Sequence, residues 1–264
     1  MVSPMDDTRA TSAARFLPES SAVAAALGPG PLGHLATTGS TNADLADEAR
    51  AGNSAGAVLV ADHQSAGRGR LDRTWEADSG AGLLVSLRIP ATLEGAGQVM
   101  HAVGAAARAA ADGLCVDAVR SKWPNDLVVI EGEAPGKLAG LLAEFVDGSA
   151  PSVIVGVGIN ITPIERQPGA TSIVACGGPA DRDVLLAALL RELAPRLSDG
   201  GGLLDELRTH SATLGARVRV ELPGGSELVG TAADLTDTGE LVVVDDDGER
   251  HVVGTGDVIH LRTI

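Results

Sequence analysis

From Ala216 onward, helix-forming stretches give way to short alternating apolar runs, and this change limits the possible folds more than any other feature. The runs RVRVEL, LVGTAADL, LVVVD, RHVVG and VIHLR are separated by the turn sequences PGGS, DTGE and DDDGE. Alternation with a period of two is typical of strands that bury one face, and such turn residues end strands. The spacing predicts a small β barrel or sandwich of about 50 residues.

The sequence upstream contains both strand and helix patterns. Strands are predicted at 57–61, 83–89 and 128–130 and in the runs LAGLLAEFV and SVIVGVGINI. Helices are predicted at 97–114, 181–197 and 202–214, and a short capped helix begins at Thr41 and ends before Gly52. This mixture indicates an α/β domain in front of the β segment.

The charge of the chain restricts its partners. A net charge of −15 and a pI near 4.7 oppose nonspecific attraction to nucleic acid and to anionic membranes. An anionic ligand therefore requires a local cationic pocket. The densest basic cluster is QSAGRGRLDRTW, from Gln64 to Trp75, which carries Arg68, Arg70 and Arg73. An anion-binding loop and a solvated charged loop both fit this cluster.

Cysteine content and hydropathy indicate the compartment. Cys115 and Cys176 are too few for a disulfide framework and lack a metal-ligand spacing, so we expect a reducing cytoplasm. No stretch approaches the roughly 20 apolar residues of a membrane span. Near the N-terminus a helix is possible at 16–27. The segment GPGPLG at 28–33 fits the glycine pattern of a dinucleotide-binding motif, but we reject it because its prolines remove two of the amides that would bind a pyrophosphate.

Lysine is used only twice. Lys122 lies in KWPND and Lys137 in GKLAG, whereas the other 18 basic side chains are arginines. Lysine presents a compact ammonium, and arginine a planar fork, so these two positions indicate a need for a point charge. Chance placement of two rare residues is the alternative.

Polar and glycine residues mark further candidate positions. Ser40, Thr41 and Asn42 stand at a helix N-terminus, where free amides and hydroxyls can bind a polar ligand, although helix capping explains them equally. Gly156 and Gly158 lie late in a strand, which indicates either a close ligand or a tight bend.

Five motifs in order resemble those of a known family: STN at 40–42, GRGR at 67–70, KWPND at 122–126, GKLAG at 136–140 and GVGIN at 156–160. The chain, from about residue 32 to 264, is similar to the bacterial-type biotin protein ligases. The resemblance implies formation of biotinyl-5′-adenylate from biotin and ATP with Mg²⁺, followed by transfer to a lysine of the biotin carboxyl carrier domain of an acyl-CoA carboxylase.

The resemblance also implies roles for particular residues. Lys137 would lie between the biotin carboxylate and the α-phosphate, while Arg68 and Arg70 close over the adenylate. The implied biotin-binding set is Ser40, Thr41, Asn42, Gln64, Arg68, Gly69, Arg70, Lys137, Gly156 and Gly158. The implied ATP-binding set is Arg68, Arg70, Arg73, Trp75, Lys122 and Asn160, the last reading the adenine edge.

Lys122 and Asp126 are assigned by the same likeness to phosphate or Mg²⁺ contact. Asp126 is also the candidate base for the acceptor amine and the candidate metal ligand. A turn carboxylate that binds local amides is the alternative for Asp126. The long turn between Asp126 and Lys137 leaves their relative placement open.

The expected fold is α/β (α+β), with a mixed, largely antiparallel sheet backed by helices and a C-terminal SH3-like β barrel. We expect a tail at 1–30, a catalytic domain at 31–214 and the barrel at 215–264. About 30 residues precede the first motif, too few for the DNA-binding winged helix of many members, so no repressor activity and no DNA partner are expected. The protein is expected to be a monomer or weak homodimer. Residues 164–174 would supply an aliphatic cover over adenine.

Other functions remain open at this stage. Lipoate or octanoate ligases share the implied fold and a similarly placed lysine, although GRGR and KWPND favour biotin. A noncatalytic module that binds a small acid or nucleotide is a second alternative. A DNA-binding regulator is disfavoured by the negative charge.

Overall fold

The computed structural model describes residues 32–52, 57–71, 73–116, 118–164, 167–198, 201–254 and 256–260. The predicted tail at 1–30 and the possible helix at 16–27 lie outside the described residues. Two β-sheets and four helices account for most of the described chain.

The larger sheet has seven strands in the order β1-β2-β3-β7-β6-β5-β4. Its strands are β1 (Leu32–Thr38), β2 (Ala57–Gln64), β3 (Gly82–Pro90), β4 (Val119–Lys122), β5 (Asp126–Val129), β6 (Gly136–Val146) and β7 (Ser152–Asn160). The β1–β2 pair is parallel and every other neighbouring pair is antiparallel. The predicted mixed, largely antiparallel sheet is therefore confirmed.

The helices cover both faces of this sheet. They are α1 (Thr41–Arg50), α2 (Ala96–Asp112), α3 (Arg182–Ser198) and α4 (Leu203–Thr209). The main core joins α2 and α3 to the face of β3 and β7 that carries Val85, Leu87 and Val155. A smaller core packs Leu45 of α1 against Leu59 and Ile154 on the other face. Because both faces are covered, β3 is buried through nearly its whole length and is mostly apolar, with Ser86 and Arg88 as its buried polar residues.

The smaller sheet follows α4 and has the order β11-β10-β9-β8-β12, all antiparallel. Its strands are β8 (Arg217–Glu221), β9 (Glu227–Leu235), β10 (Leu241–Val244), β11 (Arg250–Val253) and β12 (Asp257–His260). The predicted C-terminal strands are thus present. Among the described residues no ladder joins β11 to β12, so the expected barrel is observed as a five-stranded sheet.

Two element predictions need correction. The helix predicted at 202–214 spans only Leu203–Thr209, because the Ser211 hydroxyl accepts the amides of Thr213 and Leu214 and forms a turn. Strands β1 and β4 were not predicted. Both lie at sheet edges and are only partly buried, which leaves a weak apolar signal.

A network of ion pairs joins α2, α3 and α4. The Glu206 carboxylate accepts from Arg196 at 3.0 and 2.8 Å and from Arg108 at 3.0 Å. These two guanidinium groups hold the pKa of Glu206 below its ordinary value, although burial opposes the shift. Two residues later, Arg208 binds Asp234 of β9 at 2.8 Å. Helix α4 therefore ties the helical layer to the smaller sheet.

The β9–β10 turn makes a second contact between the sheets. The carbonyl of Gly239 accepts the Trp123 indole N–H at 3.1 Å, and the His101 ring packs directly on Gly239. Gly239 has a φ of +84°, where a side chain is strained and would also collide with His101. None of the described helices is long and apolar enough to cross a membrane.

Candidate active site

A cavity of about 280 Å³ opens where the ends of the large-sheet strands meet the smaller sheet. It is lined by the N-terminus of α1, Gln64, the arginine loop, the KWPND segment, Lys137, the inner strands β3, β6 and β7, and β8 and β12 of the smaller sheet. We define the arginine loop as residues 67–75, of which 72 is not described. All five predicted motifs reach this one region, although Asn160 does not line the cavity.

One end of the cavity carries a buried network of neutral polar groups. Gln64 Oε1 accepts from Thr41 N at 2.8 Å and from Thr41 Oγ1 at 3.0 Å. The Ser86 hydroxyl lies 2.7 Å from Thr41 Oγ1 and donates to Asn42 Oδ1 at 2.5 Å. Asn42 Nδ2 donates to the carbonyl of Leu142 at 3.1 Å. The hydroxyl of Ser40 makes no side-chain cap to α1, so this region is more than a capping motif.

A pair of glycines forms a flat support for Trp75. Gly140 and Gly158 face each other across β6 and β7, and a Cβ built on Gly158 would lie 2.5 Å from Trp75 Cε2. A Cβ on Gly140 would lie 3.0 Å from Trp75 Cζ3. At Gly156 a Cβ would collide with the Asn42 side chain. The space beside Gly156 and Gly158, which the sequence assigned to a close ligand or a tight bend, is thus filled by the side chains of Asn42 and Trp75.

A bulge brings the two sides of the β5–β6 hairpin together at Lys137. The register shifts between Leu127 and Val128, and Lys137 Nζ lies 2.7 Å from Asp126 Oδ1. The same ammonium stands 5.7 Å from the centre of the Trp75 ring. A bulge re-aims a side chain by placing one extra residue in one strand. The open question of how Asp126 and Lys137 are arranged is answered by this direct ion pair.

The arginine loop is a tight hairpin that contacts the smaller sheet. Its backbone closes through Trp75 N to Gly67 O at 3.0 Å and Gly69 N to Arg73 O at 2.6 Å. Arg73 forms an ion pair with Asp257, and Arg70 Nη1 lies 4.0 Å from the same carboxylate. Burial lowers the pKa of Arg70 from its ordinary value, and Asp257 and Asp126 oppose that change. The guanidinium stays protonated at neutral pH because its ordinary pKa is so high.

The remaining predicted residues have distinct surroundings. Arg68 is exposed, 3.8 Å from Glu144. Lys122 ends β4 opposite Asp126 and lines the cavity, and the adjacent Trp123 packs against the core of the smaller sheet. The amide nitrogen of Asn160 donates to the carbonyls of Lys137 at 3.3 Å and Thr171 at 3.0 Å. Asn160 therefore braces the backbone at Lys137, and its role toward adenine stays a prediction.

Several site residues were missed by sequence reasoning. Ser86, which is hydrogen-bonded to lining residues Thr41 and Asn42, is the one hydroxyl in a mostly apolar buried strand, and that isolation was a usable signal. Asn125 Nδ2 donates to the carbonyl of Leu141 at 2.8 Å, and Asn125 Oδ1 accepts from Arg70 Nη1 at 3.4 Å. Glu221 and Asp257 belong to the smaller sheet, and no local pattern marks them as cavity residues.

Family models match two parts of the chain. The model described as the biotin/lipoate A/B protein ligase family matches residues 36–160, and the biotin protein ligase C-terminal domain matches residues 213–261. A biotin–[acetyl-CoA-carboxylase] ligase of Mycobacterium tuberculosis is 42% identical over 86% of this chain and 88% of the relative. One from Paracoccus denitrificans is 34% identical over 79% of this chain and 92% of the relative.

Solved structures give a consistent result. A biotin protein ligase from Aquifex aeolicus in complex with biotin and ATP superposes with a TM-score of 0.72 at 25% identity, covering 87% of this chain and 99% of that one. A Leishmania major ligase in complex with biotinyl-5-AMP has a TM-score of 0.58 at 26% identity, covering 85% and 98%.

Proposed function

The chain belongs to the biotin protein ligase family, and we propose that its cavity joins biotin to ATP and then passes the biotinyl group to a carrier lysine. In the first step a biotin carboxylate oxygen attacks the α-phosphorus of ATP, the bond to the β-phosphate oxygen breaks, and pyrophosphate leaves. In the second step the carrier amine attacks the acyl carbon, an amide forms, and AMP leaves. The observation that carries this proposal is the convergence of all five motifs, including both lysines, on one cavity.

The first step requires cations. The carboxylate and the phosphate are both anionic, and two unit charges about 4 Å apart repel by about 4 kcal/mol at an effective dielectric near 20. Lys137, Arg70 and Arg73 stand at the same end of the cavity and can offset this repulsion as charge builds. Lys137 and Asp126 form an ion pair, so we propose that the biotin carboxylate takes the place of Asp126 beside the ammonium.

The neutral end of the cavity suits the ureido head of biotin. A ureido group is uncharged and both donates and accepts hydrogen bonds, and the Gln64, Thr41, Ser86 and Asn42 network offers both kinds of partner. An octanoyl or lipoyl tail would leave buried polar groups without ligand partners, and sites of this kind reject such analogues strongly. This end of the cavity therefore favours biotin over the fatty acids used by the related ligases.

We propose Asp126 as the base of the second step. The carrier amine must lose a proton as the amide forms, and the Asp126 carboxylate is the base at that end of the cavity. Part of the rate comes from holding the reactants together, which is worth up to about 7–11 kcal/mol in favourable cases.

Mg²⁺ fits the oxygen donors of this cavity. The ion binds one or two carboxylates together with substrate phosphates, and Asp126 presents a carboxylate to the lining. Among the described residues the only group of three potential metal ligands within 4.8 Å is Asp245, Glu249 and His251, none of which lines the cavity. We therefore propose that Asp126 would hold Mg²⁺ together with the phosphates of ATP, and that the ion would supply positive charge to those phosphates.

The wider assignments rest on the family. We propose that the carrier domain of an acyl-CoA carboxylase is the acceptor, that the protein acts in the cytoplasm as a monomer or weak homodimer, and that it has no DNA partner. We also propose a catalytic domain at 31–214 and a C-terminal domain at 215–264.

The deciding experiment is pyrophosphate release from ATP and Mg²⁺ by purified protein. Separate reactions contain biotin, octanoate, lipoate or no acid. Release with biotin alone is expected. Release with octanoate or lipoate would move the assignment to the sister ligases, and folded protein that releases nothing with any acid would favour a noncatalytic binding module.

A further inference from the structure

The arginine loop is held in place by a residue far away in the sequence. Asp257 begins β12 in the smaller sheet, and its carboxylate receives Arg73 directly and lies 4.0 Å from Arg70 Nη1. The carbonyl of the preceding residue, Gly256, accepts from Arg70 Nη1 at 3.3 Å. Two of the three loop arginines therefore contact the start of one strand.

The surroundings of Asp257 make this contact more than a surface ion pair. Asp257 and Arg70 are only 17% and 18% exposed, and both line the cavity. Exposed ion pairs contribute little because water screens them, whereas partly buried ones are screened less. Arg70 also approaches Asn125 Oδ1 at 3.4 Å, so its head group is fixed from two sides.

The loop needs such external support. Leu71 at its tip has a φ of +54°, in the left-handed region that a leucine rarely adopts, and its side chain is 63% exposed. A backbone held in that region persists only where surrounding contacts enforce it. The contacts of Asp257 and of the Gly256 carbonyl reach the loop from the side of the smaller sheet.

We propose that Asp257 is a positioning residue for ATP: it fixes the arginine loop before the nucleotide arrives, with donors of Arg70 and Arg73 directed into the cavity. A guanidinium has five N–H donors, so an arginine can bind a carboxylate and a phosphate together. This inference rests on the proposed function, because it concerns the nucleotide step of the same reaction. It assigns to the smaller sheet a part in that step.

Charge alone predicts the opposite result from positioning. Asp257→Asn removes a negative charge from the cavity wall, which by itself should tighten the binding of an anionic nucleotide. Loss of positioning should weaken it, because the apparent affinity falls with the fraction of competent loop. The sign of the change in KM for ATP therefore separates the two explanations.

The matched control is Glu221→Gln. Glu221 lies opposite Asp257 in the β8–β12 pair and lines the same wall, but its ion pair is with Arg219 at 3.7 Å and lies outside the loop. The Glu221→Gln substitution therefore removes one negative charge, as Asp257→Asn does, without removing a contact of the arginine loop. Asp257→Glu keeps the charge and tests rescue.

The test combines kinetics with proteolysis. For Asp257→Asn we expect KM for ATP to rise about fivefold with kcat within about twofold, as for a loop that is competent one-fifth of the time. Asp257→Glu should recover at least part of this change, and Glu221→Gln should not raise KM.

Limited trypsin digestion of the ligand-free protein gives a readout that does not require activity. Cleavage after Arg68 and Arg70 should quicken about fivefold in Asp257→Asn, and also in Arg73→Gln, because cleavage follows the open population of the loop. An unchanged or lower KM in Asp257→Asn, with parental cleavage rates, would overturn the inference. A parent protein that releases no pyrophosphate would instead defeat the proposed function, and the digestion would still report on the loop.

Discussion

Substitution of Gly158 by alanine tests the support beneath Trp75. The added methyl carbon would lie 2.5 Å from Trp75 Cε2, whereas unstrained carbon atoms stay about 3.5–4.0 Å apart. Because Gly158 lies within the central strand β7, the ring must move, by about 1 Å, away from the sheet and into the cavity. Overpacking of this kind costs about 1–3 kcal/mol of unfolding free energy.

The functional cost should exceed the cost in stability. Displacement of a wall by about 1 Å can lower a rate by about 100-fold, so we expect pyrophosphate release with biotin to fall by that order. The midpoint of thermal unfolding should fall by about 2–12 °C, since each kcal/mol corresponds to about 2–4 °C in a chain of this size. In a Trp123→Phe background Trp75 is the sole tryptophan, and its emission should report the altered surroundings directly.

Gly104→Ala is the matched control. A Cβ on Gly104, inside helix α2, would make an ordinary contact of 3.8 Å with Leu141 Cδ2, and alanine is the better helix former by about 0.5–1 kcal/mol. It should leave the reaction unchanged and stabilise the protein slightly. Parental activity and emission in Gly158→Ala would refute the argument that the glycine pair supports Trp75.

Three further substitutions test other parts of the molecule. Lys137→Ala should lower biotin-dependent pyrophosphate release by at least about 100-fold, since the loss of one electrostatic donor costs that much. Its unfolding midpoint should match that of the parent protein, and normal turnover would contradict the role given to Lys137. Ser86→Ala removes the hydroxyl that bonds Thr41 Oγ1 and Asn42 Oδ1, so it should cost about 1–3 kcal/mol of unfolding free energy and weaken biotin binding in calorimetry. An unaltered affinity would show that the network does not contact the ligand. Glu206→Gln should cost about 1–3 kcal/mol at pH 7, because hydrogen bonds to charged groups are lost. The folded-state pKa of Glu206 lies below its unfolded value of 4.5, so the stability that Glu206 contributes is present above pH 4.5 and disappears as the pH falls through the folded pKa. The unfolding free energies of parent and variant, measured by chemical denaturation from pH 7 to pH 3, should therefore converge. A constant difference between them would contradict the network.

The sequence predicted the large sheet well because its signals are local. The inner strands β3, β6 and β7 are apolar runs bounded by turn residues, and α2 and α3 show three-to-four spacing that places Leu186 and Leu189 in the core. The motif segments could likewise be assigned to one site from their order in the chain. Edge strands β1 and β4 escaped because partial burial weakens the apolar pattern.

Other parts of the site depend on information that is not local. The bulge at Leu127 and Val128, which joins Lys137 to Asp126, depends on the register of two strands and leaves no mark in either. The contact of Asp257 with the arginine loop spans two sheets. The glycines of β7 suggested a ligand or a bend, but the side chains that use the space are those of Asn42 and Trp75, from distant segments.

The cavity lining runs from residue 40 to residue 259, and this has a consequence for how the protein is made. During synthesis the chain leaves the ribosome from its N-terminus, so β12 emerges after every other wall of the cavity. A nascent chain that has reached only β7 has the polar network and both lysines but lacks Asp257. A bound ligand stabilises the folded protein more when it binds more tightly. A chain still on the ribosome, whose cavity is incomplete, therefore gains less stability from its substrates. Substrate binding thereby favours finished chains over truncated ones.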